Sequence, residues 1–212
     1  MRKNIIYSLL LVVAALFAGC ESRLDIEKHG NMGDQNDFYQ TDEQTEQAVA
    51  SMYSSLKGLY YNWFFTKNLL SDDVWCGGGQ RGDNTSLEQL NEYTYGTDNG
   101  MIQGVFSGLY GLIYQSNLVI EKVADDTPAK KRAIAEAKFF RAWANFELVT
   151  LWGTAPLVDH LLEPGEYRQG NSTPEALWTA VESDLNDAIG MNALPSKKNK
   201  DDQETGMRVT QE

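Results

Sequence analysis

The sequence contains few of the residues from which catalytic and metal sites are usually built. Its 212 residues include two cysteines and two histidines, His29 and His160. It has no Gly-x-Ser-x-Gly segment, no phosphate-binding loop, and no cysteines and histidines at metal-binding spacing. We therefore expect no metal, no other cofactor and no catalytic residues, so the sequence disfavours an enzyme.

Basic residues are also scarce. The chain has 18 Lys+Arg against 30 Asp+Glu, a net charge of −12. Removing residues 1–19 takes away Arg2 and Lys3 but no acid, which leaves 16 basic against 30 acidic residues and a net charge of −14. Because so acidic a surface repels polyanions, we expect neither nucleic acid nor an anionic lipid surface as a partner.

The first twenty residues have the organisation of an export signal. Arg2 and Lys3 precede an apolar run at 5–17, which is short for a membrane-spanning helix, and Ala18, Gly19 and Cys20 follow. This ending resembles the bacterial lipobox, in which the cysteine is diacylated before cleavage. We predict a signal peptide at 1–19, lipidation of Cys20 and a polar tether at 20–40. Cys76 would then be a free thiol, and no intramolecular disulfide could form.

From Thr41 onward the spacing of apolar residues predicts an all-α domain over 41–195. Helices are expected at about 42–61, 101–123, 128–152 and 172–191, with Thr41 and Thr173 as N-caps and Pro174 in the first turn of the last helix. Three glycines in the second helix, at 104, 108 and 111, favour close packing against another helix. Residues 62–99 are interpreted as a long loop with a short helical turn near 86–90, and 196–212 as a charged tail.

The helix at 128–152 is unusually aromatic. At 100° per residue its large side chains form two adjacent stripes, which together cover an arc of roughly 200°. Such a helix packs on two sides, so we interpret the stripes as core and keep a sugar-stacking platform as the alternative. The stripes are Phe139, Trp143, Phe146 and Thr150, and Phe140, Ala144, Leu148 and Leu151.

Two acids interrupt this apolar arc. Glu136 and Glu147 are three helical turns apart, about 16 Å along the axis. The paired carboxylates of glycosidases lie roughly 5–9.5 Å apart, so these two cannot act together as acid and base. We expect each to be buried against a helix end or a basic partner.

Several segments resemble the RagB/SusD family of outer-membrane lipoproteins. They are Ala135-Glu136-Ala137-Lys138-Phe139-Phe140-Arg141-Ala142-Trp143, Trp152-Gly153-Thr154-Ala155-Pro156, Ser71-Asp72-Asp73, and Asp184-Leu185 followed by Leu194-Pro195. The resemblance implies a tetratricopeptide-like helical fold of SusD type. It also implies a surface protein that binds glycans or other nutrients and passes them to a TonB-dependent SusC-type porin. Family chains are longer, and residues 206–212 resemble the entry to a further family helix, so a truncated chain is expected.

The glycine-rich loop after residue 71 is the predicted ligand site. Trp75 could stack on a sugar ring, while Asp73, Arg81 and Asn84 could hydrogen-bond its hydroxyls. Trp75 could instead be a loop anchor packed on the domain, and Asp72 and Asp73 could be caps or turn formers. A hydrolase using the two aspartates is disfavoured because adjacent side chains diverge. The remaining alternative is a truncated interaction module that docks the transporter without binding a ligand.

Overall fold

The computed structural model describes residues 38–197 and 207–211. The predicted signal peptide, Cys20 and nearly all of the tether lie outside these residues. Within them the protein is all-α, as predicted, with no β-strand and a single antiparallel bridge between Ala155 and Ser172. The helices are α1 (Asp42–Leu69), α2 (Thr85–Asn91), α3 (Gly100–Lys122), α4 (Pro128–Trp152) and α5 (Pro174–Gly190).

The helix starts follow from capping residues. Thr41 accepts a hydrogen bond from the amide of Gln44, whose side chain bonds back to the amide of Thr41, which completes a capping box. Thr127 and Thr173 cap α4 and α5, each followed by a proline in the first turn. Because these signals are local, the predicted starts of α1, α4 and α5 are confirmed.

The predicted end of the first helix was wrong. α1 continues to Leu69, beyond the expected end near residue 61, so the following loop is shorter than predicted. After Gly58 the helix contains no glycine or proline that would end it. Its last turns are stabilised by a second, smaller cluster of buried apolar side chains. Leu69 is buried with Leu87, Leu90 and Met101, and Phe65 packs against this small cluster. The short helical turn expected within the loop is α2.

The long helices form two antiparallel pairs. In the first pair α1 runs against α3, so that the Cβ position of Gly108 lies beside Leu59 and Ser116 lies beside Met52. In the second pair α4 runs against α5, so that Lys138 bonds Asp187 and, three residues later in α4, Arg141 bonds Asp184. These contacts confirm the helix pairs that the family resemblance implies.

The first helices of the two pairs lie side by side and run in the same direction. Tyr53 of α1 contacts Phe140 of α4, and ten residues further along α1 Trp63 contacts Trp143. Stacking of successive helix pairs in this way is the arrangement of α-helical repeat proteins. It places α4 at the centre, in contact with α1, α3 and α5.

The two stripes of α4 have different environments. Phe140, Ala144 and Leu148 are fully buried, which confirms one stripe as core. Phe139 and Trp143 are half-buried and line an apolar groove of 310 Å³ together with α1, and Phe146 is 37% exposed. The stripe of Phe139, Trp143, Phe146 and Thr150 is therefore only partly covered within the described residues.

Both ends of the described region pack against the helices. Tyr39, which the predicted boundary assigns to the tether, is buried in the main core, so the folded part begins before Thr41. Within the predicted tail, Arg208 pairs with Glu46 of α1 and Glu136 of α4, and the amide of Val209 donates to the hydroxyl of Tyr53.

Candidate functional site

The loop between α1 and α2 presents an exposed aromatic side chain. Trp75 is 77% exposed, the most exposed tryptophan among the described residues, and its neighbour Val74 is 39% exposed. A tryptophan that anchors a loop would bury its ring against the domain. The alternative in which Trp75 is a packed anchor is therefore wrong.

The backbone on both sides of Trp75 is held by one side chain from the end of α2. Asn91 donates from Nδ2 to the carbonyl of Val74 at 3.1 Å, and its Oδ1 accepts from the amide of Cys76 at 3.0 Å. The Asn91 carboxamide thus makes the two backbone hydrogen bonds that a neighbouring β-strand would make. It fixes the backbone at Trp75 while the indole projects into solvent. Sequence reasoning missed Asn91 because 16 residues separate it from Trp75.

The glycine-rich turn after Cys76 is closed by Asp83. Its Oδ2 accepts hydrogen bonds from the amides of Gly79 at 2.7 Å and Gln80 at 3.0 Å. A Cβ at Gly79 would lie 3.3 Å from the same oxygen, which is tighter than ordinary contact. The glycine allows the backbone to wrap closely around the carboxylate, so this turn has a defined shape.

Two of the predicted site residues lie on the solvent side of the loop. The Asp73 side chain is exposed, and its own amide donates to the hydroxyl of Ser71 at 3.3 Å, so the hydroxyl of Ser71 makes the side-chain bond of this turn. The side chain of Arg81 is 78% exposed and its Nη2 lies 2.7 Å from Oε2 of Glu92. An ion pair this exposed contributes little to stability, so the Arg81 guanidinium can leave Glu92 and bind another group at a small cost in free energy.

Asn84 has a structural role. Its Oδ1 accepts from the amide of Leu87 at 3.3 Å and so caps α2. The cap holds the helix that carries Asn91, which links Asn84 to the position of Trp75. A direct contact between Asn84 and a ligand stays a prediction.

Two tyrosines near this loop were not among the predicted site residues. Tyr93 and Tyr95 are 56% and 40% exposed. Tyr93 has a positive φ of 56°, and its hydroxyl donates to the carbonyl of Leu70 at 2.9 Å. The sequence Tyr-Thr-Tyr-Gly, in which tyrosines alternate with small residues, could have indicated these two tyrosines as exposed loop residues. Together with Trp75, these tyrosines make the segment between α1 and α3 rich in exposed aromatic rings.

The two buried glutamates of α4 are paired with basic side chains. Glu147 pairs with Lys67 at 2.9 Å, and Glu136 pairs with Arg132 and Arg208, which confirms the expected basic partners. Burial raises the pKa of Glu136, although both guanidiniums act to lower it. The pKa of Cys76 is also raised, by burial and by the nearby Glu88 and Glu92 carboxylates, which favours the protonated thiol. Among the described residues, no three or more His, Cys, Asp or Glu side chains lie where they could hold a metal ion together.

None of the described helices is both long and apolar enough to span a bilayer.

The chain has relatives of known family. Residues 26–211 match the SusD-like family described as "Starch-binding associating with outer membrane". A SusD-like protein of Bacteroides ovatus is 32% identical over 166 residues, covering 72% of this chain and 29% of its own length. SusD-like protein P2 of Formosa agariphila is 26% identical over 205 residues, covering 90% of this chain and 40% of its own.

Solved structures that superpose on this chain are also described as SusD-like proteins. A protein described as a laminarin-binding SusD-like protein superposes with a TM-score of 0.71 at 28% identity, over 82% of this chain and 38% of that one. This chain thus spans about a third of the length of the relatives that it matches. The family match over residues 26–211, together with the two helix pairs, shows that the chain belongs to the SusD-like family.

Proposed function

We propose that this chain belongs to a surface lipoprotein of the outer membrane that binds glycans and passes them to a TonB-dependent SusC-type porin. The observation that carries the proposal is the exposed Trp75 ring on a backbone held by Asn91. A large aromatic ring that stays in water does not gain the free energy that burial would provide. A role in binding explains why Trp75 is exposed.

The chemistry around Trp75 suits a neutral, hydroxylated ligand. A sugar ring presents C–H groups on its faces and hydroxyls around its edge. The indole of Trp75 would cover one face, and the exposed Asp73 carboxylate and Arg81 guanidinium would accept from and donate to the edge. The excess of acidic residues disfavours a polyanionic ligand.

Binding without catalysis is the proposed activity. The family description is a binding one, and the two carboxylates nearest Trp75 in the sequence, Asp72 and Asp73, are adjacent residues on an exposed turn. Lipidation of Cys20 would supply the two acyl chains that stable membrane anchoring requires.

Affinity electrophoresis in gels that contain starch or laminarin tests the proposal. We expect the protein to be retarded and Trp75→Ala to migrate as in a gel without glycan. Tyr167→Ala is the matched control, because Tyr167 is also highly exposed (68%) but lies in the turn before α5. Trp75→Ala is not expected to change the melting temperature, because its ring buries little surface.

Two outcomes would contradict glycan capture. Equal migration of the protein with and without each glycan would favour the alternative, a module that docks the transporter without a ligand. Release of new reducing ends during incubation with either glycan would instead show an enzyme.

A further inference from the structure

The residue that caps α3 is buried, unlike the caps of most other helices of this protein. Asn99 precedes Gly100, the first residue of α3, and is 2% exposed. Thr41, Asn84 and Thr173, which cap α1, α2 and α5, are all exposed. Capping of α3 alone therefore does not account for the burial of Asn99.

The two ends of the Asn99 carboxamide bond two different helices. Its Oδ1 accepts from the amides of Met101 at 3.0 Å and Ile102 at 3.4 Å, as expected of an N-cap of α3. Its Nδ2 donates to the carbonyl of Ser86 and to Oε1 of Gln89, both at 3.0 Å. Both of these acceptors belong to α2. One buried side chain thus joins α2 to the first turn of α3.

The bonds to α2 explain why an asparagine is buried here. A buried carboxamide destabilises the fold unless its donors and its acceptor are bonded. A serine or threonine could cap α3 through one oxygen without bringing amide hydrogens into the interior. Asn99 brings two such hydrogens, and Nδ2 donates to two acceptors of α2. The side chain therefore serves α2 as well as α3.

Helix α2 depends on such contacts for its position. It has only seven residues, and helices of this length are not stable on their own in water. Leu87 and Leu90 are buried in the small apolar cluster with Leu69 and Met101, but apolar contact is non-directional and does not by itself fix how a helix is rotated. The hydrogen bonds from Asn99 are directional and so define the orientation of α2.

The other end of α2 carries Asn91, which holds the backbone on both sides of Trp75. Asn91 is the last residue of α2, about 7.5 Å beyond Ser86 along the helix axis. A rotation or shift of α2 relative to α3 would move the Asn91 carboxamide away from its two backbone partners. Contacts therefore run without interruption from α3 through Asn99, α2 and Asn91 to the loop that carries Trp75.

We propose that Asn99 is a positioning residue for glycan binding, which fixes α2 to α3 and so holds Asn91 and the backbone of Trp75 in the binding geometry. This role rests on the proposed function, since it serves binding at Trp75. Because Asn99 is buried, it would act through α2 and would not touch the glycan.

The substitution Asn99→Asp separates the two roles of this side chain. Aspartate caps a helix as well as asparagine does, so its Oδ1 keeps the bonds to α3. In place of Nδ2 it puts an oxygen that cannot donate to the carbonyl of Ser86, although Gln89 can turn its own amide to donate. Hydrogen exchange at the amide of Cys76 should become about three- to tenfold faster, as for one lost hydrogen bond. Retardation by starch or laminarin gels, relative to a gel without glycan, should weaken in the direction of Trp75→Ala.

A second variant keeps the test decisive if a carboxylate at position 99 prevents folding. Asn99→Ser retains a hydroxyl that can cap α3, adds no charge and is too short to reach α2. It should change exchange and retardation in the same direction as Asn99→Asp.

Asn117→Asp is the matched control, because it adds the same charge at another buried carboxamide. Asn117 is 1% exposed and donates to the carbonyl of His160 at 2.9 Å, and its Oδ1 accepts from Arg141 at 2.8 Å. These partners lie in α4 and in the loop that follows it. Asn117→Asp should therefore change neither the exchange of the Cys76 amide nor the retardation by glycan.

Either of two results would overturn this role of Asn99. Unchanged retardation of both Asn99 variants, with Trp75→Ala still impaired, would show that binding does not depend on Asn99 and would leave the proposed function standing. Unchanged exchange at Cys76 in both variants would show that Asn99 does not hold the loop, whether or not a glycan binds. Migration of the unchanged protein without any retardation would contradict the proposed function, and the role of Asn99 in binding with it.

Discussion

Asn91 and Trp75 are coupled through the backbone, because the Asn91 carboxamide bonds the carbonyl before Trp75 and the amide after it, at 3.1 and 3.0 Å. The ring itself is free of this contact and 77% exposed. The arrangement separates the residue that positions the loop from the residue that would touch a glycan.

Replacing Asn91 should impair binding through loop order. In Asn91→Leu both hydrogen bonds are lost while the branched shape of the side chain is kept, so we expect weaker retardation by the glycan gels, in the direction of Trp75→Ala. Hydrogen exchange at the amide of Cys76 should become faster, a change that Trp75→Ala should not produce. If Asn91→Leu binds normally although that exchange is faster, loop order does not contribute to affinity.

The ion pair between Arg141 and Asp184 is expected to hold the second helix pair together. The two groups are buried and bonded through both nitrogen–oxygen pairs at 2.7 Å, and Arg141 also bonds the side chain of Asn117. Arg141→Met would leave Asp184 as a buried charge without its partner, which costs about 3–5 kcal/mol in the free energy of unfolding.

Urea denaturation measures this difference, and the same helix pair contains a control. Lys138 bonds Asp187 at the same 2.7 Å distance, but Asp187 is largely exposed to solvent. Lys138→Met should therefore cost less than about 1 kcal/mol. Similar losses for the two variants would show that burial of the Arg141 pair is not the decisive factor.

Gly108 should be required for the approach of α1 to α3, whereas Gly111 should not. A Cβ at Gly108 would lie 2.7 Å from Cδ1 of the buried Leu59, but one at Gly111 would meet nothing within 4 Å. We expect overpacking in Gly108→Ala to cost about 1–3 kcal/mol, from which the gain in helix propensity of about 1 kcal/mol is subtracted. Gly111→Ala should be neutral or stabilising, since alanine is the better helix former by about 1 kcal/mol. Thermal unfolding of the two variants compares them, and a loss in Gly111→Ala would contradict the assignment of open space.

His160 should titrate above its ordinary range. Hydrogen bonds from its ring to Asp159 at 2.8 Å and to Glu166 at 3.2 Å raise the pKa of His160. A raised pKa in the folded state means that the ring contributes stability below its ordinary pKa, and that this contribution is lost as pH rises through the raised value.

A proton NMR titration of the His29→Asn variant, which leaves one histidine signal, measures the pKa of His160. Asp159→Asn should lower it more than Glu166→Gln, because the bond to Asp159 is the larger cause. An unchanged titration in Asp159→Asn would show that the ring does not make this bond in solution.

The helix starts were predictable because their signals act over a few residues. Thr41 with Gln44, and Thr127 and Thr173 with the prolines that follow them, satisfy amides of their own first turns. The end of α1 was not predictable in the same way. Its last two turns are stabilised by contact with α2 and α3, where Leu69 is buried with Leu90 and Met101.

The sequence predicted which segment carries the candidate site, but it did not predict how the side chains of that segment are arranged. The sequence placed Trp75, Asp73 and Arg81 in one loop, and the structure leaves all three exposed. It did not distinguish a ligand contact from a cap at Asn84, because an asparagine before a helix serves either purpose. The roles of Asn91 and Tyr93 depend on partners in the loop after α1, at 74–76 and at 70.

By itself the sequence determined the all-α class, the helix starts, the acidic charge and the residues that resemble the family, since each of these is a property of composition or of short spacing. The tertiary structure alone decided that one stripe of α4 is core while the other lines a groove, and that Glu136 meets Arg208. Those outcomes depend on which surfaces of distant segments meet, and packing of one helix against another is not encoded in the periodicity of either.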